Sequence, residues 1–154
     1  FKIRGALNSV LNRFSAENLT KNEYLKGCAT HSTGNHGAAV AWACNYIKTP
    51  CYVILPTNVP QVKIDLVKNY NANIVFCDPT PKARIEICNK IATDNNLYIV
   101  KPSDDYDVIC GQGTVAYEFL KQVPDLDGIL VSVSSGSLLA GISIYAKVCI
   151  LFFF

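Results

Sequence analysis

Residues 26–47 read KGCATHSTGNHGAAVAWACNYI, and residues 51–55 read CYVIL. The first six residues, Lys26–His31, form a short strand candidate. Ser32–Asn35 then supplies two hydroxyls, a glycine and an amide, a turn composition. Asn35–Ile47 carries helical periodicity, and Cys51–Leu55 is again apolar and β-prone. Strand, polar turn, helix, strand is the βαβ unit, whose crossover makes the two strands parallel neighbours.

The same alternation continues outward. Further strands are predicted at Ile74–Cys77, Leu97–Val100 and Gly128–Val133, where Ile129-Leu130-Val131 is a short continuous apolar run suited to a central parallel strand. Helices are predicted at Pro60–Tyr70, Pro81–Asp94 and Tyr106–Gln122, with another starting near Ser137 and one covering the opening stretch FKIRGALNSVLNRF. Pro60 and Pro81 stand at first turns, where a missing N–H costs nothing. The expected fold class is α/β, an open mostly parallel sheet with helices on both faces. Ligands bind such sheets outside the carboxyl ends of the strands. That directs attention to the loops at Ser32–Asn35, Pro56–Val59, Asp78–Thr80, Lys101–Tyr106 and Ser134–Ser137.

Composition narrows the class further. Half of the 154 residues are hydrophobic and 17% are charged, which excludes a disordered chain and allows a real core. A net charge of +2 with Lys and Arg scattered along the chain argues against a nucleic-acid partner. The seven cysteines fall mostly in apolar stretches, are odd in number and never form C-x-x-C. They read as small buried hydrophobes in a reducing, cytoplasmic compartment, with no metal site. The sequon Asn18-Leu19-Thr20 is discounted because no secretory segment is visible. The closing VCILFFF is far short of the ~20 residues that span a bilayer, so no membrane partner is expected. It reads as a buried terminal strand or as sequence foreign to the mature protein.

Three loops offer chemistry. THSTGNHG, residues 30–37, opens a helix with exposed N–H groups and suits an anion or polar ring substituent, or else is an ordinary N-capped turn. Ser134-Ser135-Gly136-Ser137 also precedes a helix and suits a phosphate, or is a serine N-cap. Gly111-Gln112-Gly113-Thr114-Val115-Ala116 matches G-x-G-x-x-A literally. The preceding DDYDVIC is polar and reads as a helix start, which excludes a dinucleotide site; these glycines instead permit close helix packing.

Taken together, the motifs resemble fold-type II pyridoxal-phosphate enzymes of the serine racemase/threonine dehydratase family. Phe1-Lys2-Ile3-Arg4-Gly5-Ala6 resembles the family's S-F-K-x-R-G-A segment. Thr33-Gly34-Asn35-His36-Gly37 resembles S-G-N-H-(G/A), and Cys110-Gly111-Gln112-Gly113-Thr114 resembles A-G-Q-G-T. Residues 134–141, SSGSLLAG, stand where the family has the phosphate loop G-G-G-G-(L/M)-L-(A/S)-G. The four motifs keep family order over residues 1–147. The resemblance implies a partial tryptophan-synthase-β-like fold drawn from parts of both family domains, with residues 148–154 an atypical tail.

The resemblance also implies roles. Lys2 takes the position of the lysine that forms the aldimine with the cofactor, pyridoxal 5'-phosphate, and later takes the substrate α-proton. Thr33 takes the position where racemases carry a serine on the opposite cofactor face. Asn35 would bond the phenolic oxygen of the cofactor, Ser103 would lie near it, and Ser134, Ser135, Gly136, Ser137 and Leu138 would surround its phosphate. Here three of the loop glycines are replaced by Ser134, Ser135 and Ser137. The implied reaction is racemisation of serine, or elimination of water from serine or threonine, in a family homodimer. Divalent cation (Mg or Ca) and ATP belong to full-length family members, and the metal ligands are not in this chain. The alternatives are a non-catalytic fragment of such an enzyme and a cysteine-synthase-like β-replacement enzyme.

Overall fold

The computed structural model describes residues 1–15 and 25–151. The elements are α1 (Lys2–Arg13), β1 (Cys28–His31), α2 (Asn35–Tyr46), β2 (Cys51–Pro56), α3 (Gln61–Lys68), β3 (Asn73–Cys77), α4 (Pro81–Asn95), β4 (Tyr98–Ile99), α5 (Tyr106–Gln122) and α6 (Ser137–Leu151). The sequon at Asn18 and residues 152–154 lie outside the described residues.

All pairings in the four-stranded sheet are parallel, in the order β3-β2-β1-β4. The register sets Cys28 beside Cys51 and His31 beside Ile54 on one side of β1. On its other side Cys28 pairs with Tyr98 and Ala29 with Ile99. Strand residues alternate between two cores, because successive side chains leave a strand on opposite faces. Cys28, Val53 and Leu55 pack beneath α1, α2 and α3, with Val10, Val40 and Val67. Ala29, Ile54 and Cys77 pack against Cys88 and Ala92 of α4. Both faces of the sheet are thus covered, which is what permits its strands to be apolar on both sides.

Local signals explain the helix boundaries. Thr80 Oγ1 accepts from Ala83 N at 3.1 Å with Pro81 in the first turn, and Asn96 ends α4 in the left-handed region at φ 52°. Asp105 Oδ1 caps α5 by accepting from Val108 N at 3.1 Å. The Asp-rich run before the G-x-G-x-x-A match is therefore a helix start.

The glycines of that match are packing glycines. A Cβ on Gly111 would lie 2.5 Å from Arg4 O and 2.6 Å from Gly5 Cα, so α1 and α5 meet backbone to backbone. A Cβ on Gly141 would meet Gly113 N at 2.6 Å, which brings α6 equally close to α5. Arg4 adds a forked pair of bonds to Glu118, at 2.6 and 2.7 Å, and one to Thr114 at 3.0 Å. These contacts lock α1, and with it Lys2, to the rest of the chain.

Two expectations are corrected. Gly128–Val133 is not a strand: it pairs with no strand among the described residues, and Leu130 is fully exposed. A strand needs a neighbouring backbone to complete its hydrogen bonds, and apolar composition alone cannot supply one. Ile129 and Val131 instead line a cavity of about 710 Å³ between α5 and α6. Residues 148–151 are helical rather than extended, because the helix begun at Ser137 continues through them. Of the cysteines, Cys28, Cys44, Cys51, Cys77 and Cys88 are buried as expected, but Cys110 is exposed; all seven are free thiols.

Candidate active site

Strand order fixes the location of the site. From β1 the chain moves outward through β2 to β3, and β4 then returns to the opposite side of β1. The crevice at the carboxyl ends of β1 and β4 is therefore a switch point, where loops diverge and leave room for a ligand. Two buried bonds brace it. Thr30 Oγ1 donates to Val100 O at 2.7 Å, and His36 Nε2 donates to the same carbonyl at 3.2 Å. A carbonyl only accepts, so the His36 proton is on Nε2. Nδ1 is then an acceptor, and it has no partner among the described residues.

A cavity of about 550 Å³ occupies this crevice, within the range of small-ligand and cofactor sites. Lys2, Thr33, Asn35, Ser134 and Ser135 all line it. Lys2 Nζ donates to Pro102 O at 3.3 Å, across the mouth formed by the loop after β4. Burial pushes the Lys2 ammonium below its ordinary range, favouring the neutral nucleophilic amine. Ser32 Oγ accepts from Gly34 N at 3.1 Å and holds the turn that presents Thr33 and Asn35. Asn35 is the first residue of α2, and its Oδ1 accepts from Lys63 Nζ at 2.7 Å.

The other expected residues lie nearby with different exposure. Gly136 has φ 88°, a conformation that side chains disfavour, and lets the chain turn from Ser135 into α6. Ser137 is buried, with its hydroxyl 3.4 Å from that of Ser135, and neither Ser137 nor Leu138 is in the cavity wall. In the loop after β4 the wall residue is Pro102; Ser103 is half-buried beside it.

Sequence reasoning did not single out His31, Lys63 and Arg84, which also line the cavity. His31 lay inside the quoted loop. Lys63 and Arg84 occur early in the helices that follow β2 and β3, on the carboxyl edge where a parallel sheet binds ligands. Burial, with Arg84 adding like-charge repulsion, lowers the His31 pKa. Burial also drives His36 down to about 4, against the opposing bond to Val100 and with small contributions from Lys2 and His31. The wall contains several cationic or donor groups and no Asp or Glu among the described residues. No three His, Cys, Asp or Glu side chains among those residues are grouped to hold a metal ion.

A partly desolvated lysine amine, set among hydroxyls, amides and cations without a carboxylate, suits a carbonyl compound that also carries a strongly anionic group. The chain belongs to the pyridoxal-phosphate dependent enzyme family, whose model matches residues 1–148. It is 39% identical over 147 residues to a serine racemase of Oryza sativa subsp. indica, covering 96% of this chain and 42% of that relative. It resembles the crystal structure of a pyridoxal 5'-phosphate-dependent aspartate racemase with a TM-score of 0.87 and 48% identity, over 95% of this chain and 43% of that one. It also resembles the processed form of threonine deaminase isoform 2 from Solanum lycopersicum, with a TM-score of 0.84 and 32% identity, over 96% and 41% of the two chains. The chain thus spans less than half the length of these relatives.

Proposed function

We propose that this chain carries the cofactor-binding part of a pyridoxal-phosphate amino-acid racemase or ammonia-lyase that acts at Cα of serine or threonine. The observation that carries this reading is the Lys2 amine, partly desolvated, in one cavity with the Ser32–His36 turn and with Ser134 and Ser135. Bound pyridoxal phosphate supplies an electron sink for the pair of electrons left when Cα loses its proton. Lys2 Nζ would hold the cofactor and would take that proton. Thr33 Oγ1 returns a proton on the other face in racemisation. In elimination the β-hydroxyl leaves instead. Asn35 would hold the ring from the cavity wall, with Ser103 behind it, and Ser134 and Ser135 would hold the phosphate, backed by Gly136, Ser137 and Leu138 at the start of α6, where backbone N–H groups and the helix dipole favour an anion.

A second reading has its own support. Arg84 adds to the cavity wall a cation that no side chain among the described residues pairs with, and the aspartate racemase is 48% identical. Racemisation of an acidic amino acid therefore stands beside that of serine. The remaining assignments belong to the whole protein: a cytoplasmic homodimer that takes ATP and a divalent cation, the metal ligands lying outside this chain. No helix among the described residues is long and apolar enough to cross a membrane.

Absorbance spectroscopy with added pyridoxal phosphate tests the reading. A visible band that is retained by the wild-type chain and lost in Lys2→Ala supports it. Absence of the band in the wild type favours the non-catalytic fragment. Chiral analysis of serine and aspartate, alongside assay of pyruvate, then separates racemisation of either substrate from elimination.

A further inference from the structure

We infer that Lys63 is a positioning residue that fixes the orientation of the Asn35 carboxamide and makes it a one-sided donor into the cavity. The inference rests on the reading of this cavity as the cofactor site. Lys63 Nζ lies 2.7 Å from Asn35 Oδ1, although the two residues are 28 positions apart and on different helices. Both line the cavity, Lys63 from the first turn of α3 and Asn35 from the start of α2.

Chemistry decides the orientation of this amide. The two ends of an asparagine side chain have nearly the same shape and differ only as acceptor and donor. An ammonium has three donors and no acceptor, so only the oxygen can face Lys63; turning the amide over would set donor against donor. Nδ2 is thereby left as the free end, and it has no protein partner among the described residues. A cation on the carbonyl oxygen also polarises the amide and strengthens its N–H groups as donors, since linked hydrogen bonds reinforce one another. The result is a fixed N–H donor on a residue of the cavity wall, which suits an oxygen substituent of an aromatic ring. Without Lys63 the exposed Asn35 amide is free to rotate and to offer either end.

The packing of α3 does not depend on this bond. Ile64 and Val67 are its buried residues, whereas Lys63 is only half-buried. Removal of the ammonium should therefore leave the fold intact while releasing the amide.

The experiment compares the wild-type chain with Lys63→Met, Lys63→Gln and Lys63→Arg by two readouts. The first, without ligand, is the NMR signature of the Asn35 side-chain NH2, assigned through Asn35→Asp. It should shift in Lys63→Met and Lys63→Gln and return toward the wild-type position in Lys63→Arg. The second is pyridoxal phosphate affinity from absorbance titration. It should weaken roughly tenfold in Lys63→Met, the scale of one hydrogen bond to a charged group, with recovery in Lys63→Arg. Asn35→Ala should then weaken binding less in the Lys63→Met background than it does in the wild type. Unchanged Asn35 resonances in Lys63→Met overturn the inference, as does wild-type affinity in that variant. A wild-type chain that gives no cofactor band refutes the reading of the cavity instead, and the ligand-free resonances still decide whether Lys63 orients Asn35.

Discussion

His36 links the acid stability of the fold to the geometry of the site. The ring is 3% exposed, donates one bond to Val100 O and leaves Nδ1 unpartnered among the described residues. Burial lowers its pKa from 6.5 to about 4. The unfolded chain therefore binds this proton more readily than the folded one, so stability falls as pH drops from above 6.5 toward 4. A shift of this size corresponds to ~3 kcal/mol in total, at about 1.4 kcal/mol per pH unit. Between about pH 7.5 and about pH 5 the linkage relation puts the loss at roughly 2 kcal/mol, a large fraction of the stability of a small domain. His31, also lowered by burial, adds a loss of the same sign. His36→Gln removes the titration and keeps an N–H donor, so its difference from wild type isolates this one residue. Urea denaturation across that pH range measures both chains. The stability curves should converge as pH falls, by about 2 kcal/mol at the acid end. Parallel curves would refute the reasoning and show that His36 is solvated in solution.

Further outcomes follow from the packing and from the cavity. Gly111→Ala forces a methyl to within 2.5 Å of the Arg4 carbonyl, and the separation of α1 from α5 should cost about 1–3 kcal/mol. Because α1 carries Lys2, the same variant should bind pyridoxal phosphate more weakly; denaturation and absorbance titration check the two effects, and a wild-type midpoint would refute the close contact. Attachment of the cofactor to Lys2 should accelerate with pH around a midpoint below the ordinary lysine value of 10.5, since burial favours the neutral amine. Borohydride trapping and mass analysis over a pH series measures that midpoint, and a value at or above 10.5 contradicts the burial argument. Thr33→Ala should reduce chiral inversion of serine far more than pyruvate formation; equal losses would remove Thr33 from proton delivery.

Residues 26–55 were sufficient to establish the βαβ unit, because periodicity 3.6 and a run of β-prone residues are local properties of the chain. The Asp-rich start of α5 excluded a dinucleotide loop on the same local grounds. Motif order along the chain picked out Lys2, Thr33, Asn35, Ser134 and Ser135, and the structure gathers all five into one cavity wall. Gly128–Val133 shows the limit of such reading. Its composition is that of a strand, yet pairing depends on a neighbouring backbone that no local pattern encodes. Lys63 and Arg84 were equally invisible, since each is an ordinary helix-surface lysine or arginine until the sheet order is known. Only the tertiary structure decided that β4 returns beside β1, opens the crevice there, and draws the Lys2 amine out of water against the Pro102 carbonyl. The sequence determined the groups that its motifs carry, five of which line the cavity. Desolvation, the orientation of Asn35 and the choice between a paired strand and an open apolar segment are long-range properties, set by what the fold brings near.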